Sequence, residues 1–228
     1  MPPLEFGTIR SFEDFRAALL RAGFAMGGGN AEGIFSLHPY MDPSLRYHTG
    51  DPETDPWIWR IRALEDRTLA SGKVFFHKAG WISREWYPVF LAARRRGKGL
   101  EELYADGLVG RLDREIYRTV TAEGLMPLHT LRKMVSWDKP SQFEAALNRL
   151  QAGLFLTMAG ETRKLSRDGQ PYGWPVSTFC TPEAFFPDDV WGEVLRISPG
   201  EACSRIREQV LRLNPQADEN RIRRFIGG

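Results

Sequence analysis

The fold is decided by residues 141–180, SQFEAALNRLQAGLFLTMAGETRKLSRDGQPYGWPVSTFC. Apolar residues recur at helical spacing through its first part, at Phe143, Ala146, Leu147 and Leu150. Ser141 and Glu144 stand in the Ser-x-x-Glu pattern of a capping box, and Gly153 predicts the end of the helix. An apolar strand (LFLTMA), a polar segment (GETRKLSRDGQ) and an aromatic strand (YGWPVSTFC) then predict a two-stranded hairpin.

Two more helices are predicted ahead of this stretch. Residues 112–124, LDREIYRTVTAEG, carry one apolar stripe and end at a glycine, and residues 129–135, HTLRKMV, suit the second helix of a helix-turn-helix. The order helix, helix, helix, hairpin is typical of winged-helix domains, which usually contact nucleic acid. We therefore predict an α+β protein with an N-terminal α+β region at 1–110, a winged-helix domain at 111–180 and a C-terminal helical extension at 181–228.

The flanking regions carry less regular signals. N-terminally, the pattern predicts a helix at 11–22, a strand at 33–37, a helix at 56–70, a strand at 73–78, a turn at 79–80 and a helix at 84–96 kinked by Pro88. C-terminally, it predicts helices at 198–213 and 219–228, the second capped by Asp218.

The helix at 84–96 ends in a basic cluster, Arg94, Arg95, Arg96 and Lys98. This cluster is interpreted either as cations favoured at a helix C-terminus or as a rim that contacts phosphates.

Charge and composition limit which partners are possible. The chain carries 31 Lys and Arg against 29 Asp and Glu, a formal net charge of +2 that permits nucleic-acid contact without requiring it. The sequence contains neither a long apolar run typical of a membrane span nor the order of a signal peptide, so we expect a cytoplasmic protein without a membrane partner. Cys180 and Cys203 have no neighbours that complete a metal set, and the histidines are scattered. We expect no metal and no cofactor.

The predicted winged helix offers two groups of polar side chains to DNA. On the third helix the positions expected to face away from the core are Gln142, Ala145, Asn148, Arg149 and Gln151. On the hairpin the cations are Arg163, Lys164 and Arg167, set against Glu161 and Asp168. These side chains can donate to phosphates or base edges, and three cations on a hairpin tip can follow a phosphate backbone. An ordinary solvent-exposed helix face and a polar turn would show the same residue types as a DNA-binding surface. Winged-helix domains also bind proteins.

Three stretches resemble the AlkZ-related bacterial proteins. They are GKVFFHKAGWISREWYPVFLAARR at 72–95, FEAALNRLQAGLFLTMAG at 143–160 and GQPYGWPVSTF at 169–179, and the resemblance covers about residues 57–180. That group is similar to the larger winged-helix DNA glycosylases named for AlkZ. The resemblance implies a winged-helix fold, a DNA-facing surface and a link to DNA repair.

The catalytic motif of the resembled glycosylases is absent. They position the attacking water with a Gln-x-Gln motif, whereas the glutamines here, at 142, 151, 170, 209 and 216, include no pair two residues apart. A Gln-x-Asp pattern does occur at Gln216 and Asp218, but Asp218 lies where a helix needs a cap. The catalytic assignment is therefore not carried over, and whether the protein is an enzyme stays open.

A second candidate site lies in the run WISREWY at 81–87. It places Trp81, Arg84, Glu85 and Trp86 close together, as in a pocket that stacks a base and uses a carboxylate to stabilise charge. Glu85 is the candidate catalytic residue of that pocket. The alternative is an ion pair beside core aromatic residues.

Three functions stay open at this point. The first is a DNA-binding protein of repair that uses the third helix and the wing. The second is a DNA glycosylase acting on alkylated or crosslinked bases. The third is a module that binds a protein or a small ligand in the aromatic cleft between the two halves and has no affinity for nucleic acid.

Overall fold

The structure is a computed structural model that describes residues 2–186, 189–194 and 196–228. Its strands are β1 (Phe24–Met26), β2 (Leu69–Phe75), β3 (Lys78–Ser83), β4 (Met126–Pro127), β5 (Thr157–Leu165) and β6 (Pro171–Cys180). They form one antiparallel sheet in the order β1-β3-β2-β5-β6-β4. This mixture of helices and a single sheet confirms the α+β class.

The helices surround this sheet. They are α1 (Phe12–Ala22), α2 (Pro56–Arg62), α3 (Tyr87–Arg95), α4 (Leu100–Ala105), α5 (Arg111–Glu123), α6 (Leu128–Met134), α7 (Pro140–Ala152), α8 (Pro182–Phe185), α9 (Asp189–Val194), α10 (Pro199–Leu213) and α11 (Glu219–Gly227). A 3-10 turn lies at His38–Tyr40. Most helices with long apolar periodicity agree with the prediction, because their signals are local.

The hairpin of β2 and β3 was not predicted, since the sequence pattern indicates one strand at 73–78 followed by a turn at Ala79 and Gly80. Its turn lies at Phe76 and His77, which adopt φ values of 50° and 57°, while Ala79 and Gly80 belong to β3. Gly80 is required there because an added Cβ would lie 2.5 Å from the ring of Phe75. The glycine thus permits close packing across the hairpin and does not mark a turn.

Two other N-terminal predictions also need correction. The helix that begins at Pro56 ends at Arg62, because residues from Leu69 onward pair as β2 with both β3 and β5. Pro88 lies in the first turn of α3, where its missing N–H costs no helical hydrogen bond, so it starts that helix and does not kink it. The predicted strand at 33–37 contributes only a bridge between Met26 and Ser36.

The three-helix and hairpin order is present in the second half of the chain. Helices α5, α6 and α7 precede the β5–β6 hairpin, and β4 pairs with β6 at Met126 and Phe179. The predicted capping box is wrong: α7 begins at Pro140, so Ser141 lies inside the helix, and the Glu144 carboxylate pairs with Arg132. Proline favours this start because its fixed φ suits the first helical position.

Two hydrophobic cores lie on either side of the junction between β2 and β5. The first joins the N-terminal elements to α10 and α11, and the second lies among α4, α5, α6, α7 and the base of the hairpin. Met158 of β5 packs against both cores and pairs with Ser71 of β2. Leu100 already belongs to the second core, ahead of the predicted boundary at residue 110. The domain limits themselves stay a prediction.

Arg94, near the end of α3, connects β2 with the C-terminal ends of α7 and α11. Its guanidinium donates to four carbonyls: Val74 O (2.8 Å), Ala152 O (2.7 Å), Phe225 O (2.8 Å) and Ile226 O (2.9 Å). Three of these carbonyls end α7 and α11, where the helix dipole is negative, so the cation is stabilised without a carboxylate. Desolvation lowers the pKa of Arg94, yet the group stays charged at neutral pH.

We predict that Arg94→Met lowers the free energy of unfolding by about 3–5 kcal/mol, because four buried carbonyls lose their donor. Arg94→Lys should recover only part of the loss, since an ammonium cannot reproduce the planar fork. Urea unfolding measures both. Arg96→Met, an exposed neighbour, is the matched control and should stay within about 0.5 kcal/mol. A loss below about 1 kcal/mol for Arg94→Met would contradict the role given to Arg94.

Asp55 organises the loop that leads into α2. This buried carboxylate accepts hydrogen bonds from the backbone N–H groups of His48 (3.1 Å), Gly50 (3.1 Å) and Trp57 (2.8 Å). Burial on its own raises the pKa of Asp55, but the backbone hydrogen bonds outweigh it, and the pKa lies below its ordinary value of 3.8. The ionised form therefore holds the loop and caps the helix.

We predict that Asp55→Asn lowers the free energy of unfolding at pH 7 by about 1–3 kcal/mol. Because the folded pKa is depressed, the contribution of Asp55 is complete above about pH 4 and disappears as pH falls through the lower folded pKa. The difference between the two proteins should therefore shrink in urea unfolding as the pH falls below about 4. Asp168→Asn, at an exposed carboxylate in the turn between β5 and β6, serves as control. A difference that does not vary with pH would refute this assignment.

Candidate nucleic-acid interface

Helix α7 presents only part of its predicted outer face. Gln142 and Ala145 are exposed, and Asn148 is partly buried with its Oδ1 lacking a hydrogen-bond donor in the described residues. The rest of α7 packs between α5 on one side and β2 on the other. Its N-terminal half is therefore the part that a partner can reach.

Arg149 is exposed in part, but its guanidinium is occupied. Its Nε and Nη2 each donate to the carboxylate of Asp113 at 2.8 Å, and Asp113 is almost fully buried at the start of α5. The hydrogen bond to Asp113 raises the pKa of Arg149. This bidentate pair ties α7 to α5, so the arginine predicted as a DNA contact serves to hold the helices together.

The prediction that Gln151 faces outward is wrong. Its side chain is 3% exposed, with Oε1 accepting from Lys73 N at 2.9 Å and Nε2 donating to Leu147 O at 3.2 Å. Gly72 permits this approach, since a Cβ there would lie 3.1 Å from Gln151 Oε1. Gln151 therefore satisfies an amide of β2 at the junction of the two cores.

The hairpin of β5 and β6, here called the wing, carries the predicted cations at its outer end. Arg163, Lys164 and Arg167 are exposed, and none of them forms an ion pair with another described residue. Glu161, at the base of the wing, lies 3.7 Å from Arg60 Nη2 and so faces α2. The acidic residue nearest the base is thereby directed away from the basic end.

Large apolar side chains accompany these cations. Trp174 is 88% exposed, Leu165 65% and Tyr172 52%, and Tyr172 pairs with Lys164 across the wing. Gly173 takes a φ of 72° between the two aromatic residues, where the register of the wing shifts. Aromatic surface of this size in water, next to unpaired cations, is typical of an interaction site.

A groove separates the wing from α2. It has a volume of about 580 Å³, and its walls include Trp57, Ile61 and Arg62 on one side and Arg163 and Trp174 on the other. This wall was not expected, because the spacing of Trp57, Ile61 and Leu64 predicts that they share one apolar face of the helix. Trp59 is the buried residue of that helix, whereas Trp57 is 45% exposed and stacks on the Arg60 guanidinium at 3.5 Å. The three-residue spacing of Trp57 and Arg60 was the available signal.

An inner cavity of about 300 Å³ adjoins the groove, because Trp57 and His48 line both. Phe15, Met26, Tyr47, Arg60 and Trp81 also contribute to its walls. Arg60 and Trp81 line a further cavity as well, toward Gln151 and Leu147. Burial lowers the pKa of Arg60, while the charges of Glu161 and Asp55 oppose that shift.

The residues predicted to form one pocket at 81–87 are divided by the fold. Trp81 is buried in β3 and lines the inner cavity, whereas Arg84 and Glu85 line a separate depression with Thr68 and Glu193. Trp86 packs edge-on against Phe24, at 5.4 Å between ring centroids. Successive residues of this strand and turn point in different directions, so the predicted combination of Glu85 with Trp81 is not formed.

Two of the remaining sequence candidates, Asp218 and Arg95, have structural partners. Asp218 accepts from the N–H groups of Asn220 and Arg221, which confirms it as the cap of α11. Arg95 donates to Leu154 O and to Glu183, so it joins Arg94 in holding elements together and not in a phosphate rim. Burial raises the pKa of Cys180 to about 12, which makes this thiol a poor nucleophile.

Neither a metal centre nor a membrane segment emerges from the described part of the chain. There, no group of three or more His, Cys, Asp or Glu side chains is arranged to hold an ion. None of the described helices combines the length and the apolar character that a membrane crossing needs.

Comparison with known proteins gives one match. The model of the family described as "AlkZ related" matches residues 9–227, well beyond the resemblance predicted at 57–180. No curated protein and no solved structure is detectably similar. Because the family match covers nearly all of the sequence, the chain belongs to the AlkZ-related family.

Proposed function

We propose that the protein is a DNA-directed winged-helix protein of DNA repair that contacts duplex DNA through its basic wing. The observation that carries the proposal is the unpaired state of Arg163, Lys164 and Arg167 among the described residues, beside exposed aromatic rings. Membership of the AlkZ-related family supports the link to DNA repair.

The element order supports the winged-helix interpretation. Helices α5, α6 and α7 lead into the wing, and the short β4 lies beside β6 at the edge of the sheet. In such domains the third helix enters a groove of DNA. Here β2 covers part of α7, so Gln142 and Asn148 are the helix residues left to contact DNA, with the wing as the larger surface.

The chemistry of the wing suits a phosphate backbone. Each cation that neutralises a phosphate releases condensed counterions, which favours binding and makes it sensitive to salt. Tyr172 and Trp174 offer flat rings that can lie against sugars or unstacked bases. A surface of cations alone would bind any polyanion, whereas this combination favours nucleic acid.

Base excision is the second candidate function, and family membership favours it. The Gln-x-Gln motif is absent, and Glu85 lies in a depression away from the inner cavity, so neither places a catalytic group at that cavity. An assay for abasic sites on alkylated and crosslinked duplexes tests this function. A folded protein that leaves every such duplex intact would exclude it for those lesions.

We predict that changing Arg163, Lys164 and Arg167 together to Ala weakens duplex binding by about 10- to 100-fold at low salt and reduces the salt slope by about 2–3, because up to three phosphate contacts disappear. Fluorescence anisotropy at several salt concentrations measures both. The matched control removes three charges from α10 and α11, with Arg205, Arg223 and Arg224 changed to Ala.

An equal loss in the control would show only a general effect of net charge. Unchanged affinity in the wing variant would refute the wing as the interface. If the unaltered protein binds no duplex even at low salt, the third function, a module for proteins or small ligands, takes its place.

We predict that Arg149→Ala lowers the free energy of unfolding by about 1–3 kcal/mol, because Asp113 is left buried with the N–H of Gly110 as its remaining donor. The duplex affinity of the folded variant should stay within about twofold of the unaltered protein. Gln142→Ala is the matched change on the same helix and should leave stability unaffected. If Arg149→Ala kept full stability and lost DNA affinity, Arg149 would be a DNA contact after all.

A further inference from the structure

The inner cavity contains a tryptophan whose polar atom lacks a partner. Trp81 is 6% exposed, and its Nε1 has no hydrogen-bond acceptor among the described residues. Buried indole N–H groups normally find an acceptor. Two other tryptophans do: Trp59 Nε1 donates to Pro52 O at 3.0 Å, and Trp137 Nε1 donates to Arg132 O at 3.1 Å. Trp81 is therefore an exception that calls for a ligand.

Arg60 brings a second unused donor to the same cavity. Its Nε donates to Trp57 O at 3.0 Å, but Nη2 is buried without a hydrogen bond in the described part of the chain. Its nearest anion is Glu161, at 3.7 Å, which is beyond hydrogen-bond distance. Arg60 and Trp81 both line this cavity and the one toward Gln151, so the two side chains lie at a wall that the cavities share.

The other walls suit a flat ring. Phe15, Tyr47, His48 and Trp57 are aromatic, and Met26, Leu37 and Met41 are apolar. The Ser36 hydroxyl donates to Gly28 O and is thus already used. The volume of about 300 Å³ lies at the lower end of sites for small ligands, which are mostly apolar with a few directed polar groups. The ligand that matches is planar and carries hydrogen-bond acceptors on one edge.

The geometry points to the inner cavity as a site for an unstacked nucleobase, which accepts hydrogen bonds from Trp81 Nε1 and Arg60 Nη2 and lies among the aromatic walls. This inference rests on the proposed function, because DNA on the wing would supply the base. Trp57 and His48 line the cavity and the groove, and Arg163 and Trp174 line the groove, so a strand that follows the wing passes the entrance. A base that leaves the DNA stack there loses its contact with a neighbouring base and gains a contact with an aromatic side chain of the cavity.

The test uses 2-aminopurine, a fluorescent base that carries acceptor ring nitrogens. It is placed in a duplex either opposite thymine or opposite an abasic analogue, where it has no pairing partner. We expect the protein to bind the second duplex about tenfold more tightly and to quench the fluorescence of the unpaired base by stacking. A third arm uses the free 2-aminopurine riboside.

Two variants remove the donors while keeping bulk. Trp81→Phe deletes the N–H, and Arg60→Met deletes the guanidinium; each should reduce the preference for the unpaired base about 3- to 10-fold, the effect of one lost hydrogen bond. Arg21→Met is the matched control, because Arg21 also lies in the last turn of a helix, α1, and stacks on a ring, that of Phe6, but lines neither the inner cavity nor the groove. Circular dichroism and thermal unfolding establish that each variant is folded.

The outcomes separate this inference from the proposed function. If both duplexes bind equally well, or if Trp81→Phe and Arg60→Met keep the preference, the base site is wrong and DNA binding by the wing stands. If neither duplex binds, the proposed function fails, and binding of the free riboside then tests whether the inner cavity holds a base. Binding of the riboside that weakens in Trp81→Phe supports the site, and no binding of the riboside overturns it.

Discussion

The arrangement of the two cores depends on how one cation is kept out of water. Arg94 has no carboxylate partner in the described part of the chain, so the fold must bring carbonyls to it, and the ends of α7 and α11 meet β2 around its guanidinium. Moving any of these elements would leave either the cation or a carbonyl unsatisfied in a desolvated place. The same constraint fixes α7 against β2, and through the pairing of β2 with β5 it determines that the wing faces α2.

Local signals predicted most of the helices and the wing, but not the sheet that joins them. Helices α1, α5, α7, α10 and α11 carry their periodicity and ends in a few consecutive residues, as with Gly124 after α5. The β2–β3 hairpin has no such signal, because Gly80 is needed by the ring of Phe75 and looks like a turn residue in the sequence. Ser141 and Glu144 matched a capping box, yet Pro140 before them set the start of the helix.

The candidate site was predictable where side chains are left in solvent and unpredictable where they find distant partners. The wing cations follow from a polar segment between two strands. Arg149 and Gln151 look equally polar, but their partners Asp113 and Lys73 lie 36 and 78 residues away in the chain. No spacing rule within one helix reveals such pairs. The exposure of Trp57 was missed for a related reason, since the helix is too short for its apolar stripe to be unambiguous.

The fold also brings positive charges together at the outer end of the wing, which the net charge of the chain does not reveal. With a formal net charge of only +2, the chain has no overall excess that would attract DNA. The structure directs Glu161 toward Arg60 at the base of the wing, and Arg163, Lys164 and Arg167 at the outer end form no ion pair with another described residue, although Asp168 lies beside Arg167. The same contact holds Arg60 at the wall of the inner cavity with its Nη2 hydrogen-bonding capacity unused. One ion pair thus strengthens the positive potential where a backbone would approach and positions a donor where a base would arrive.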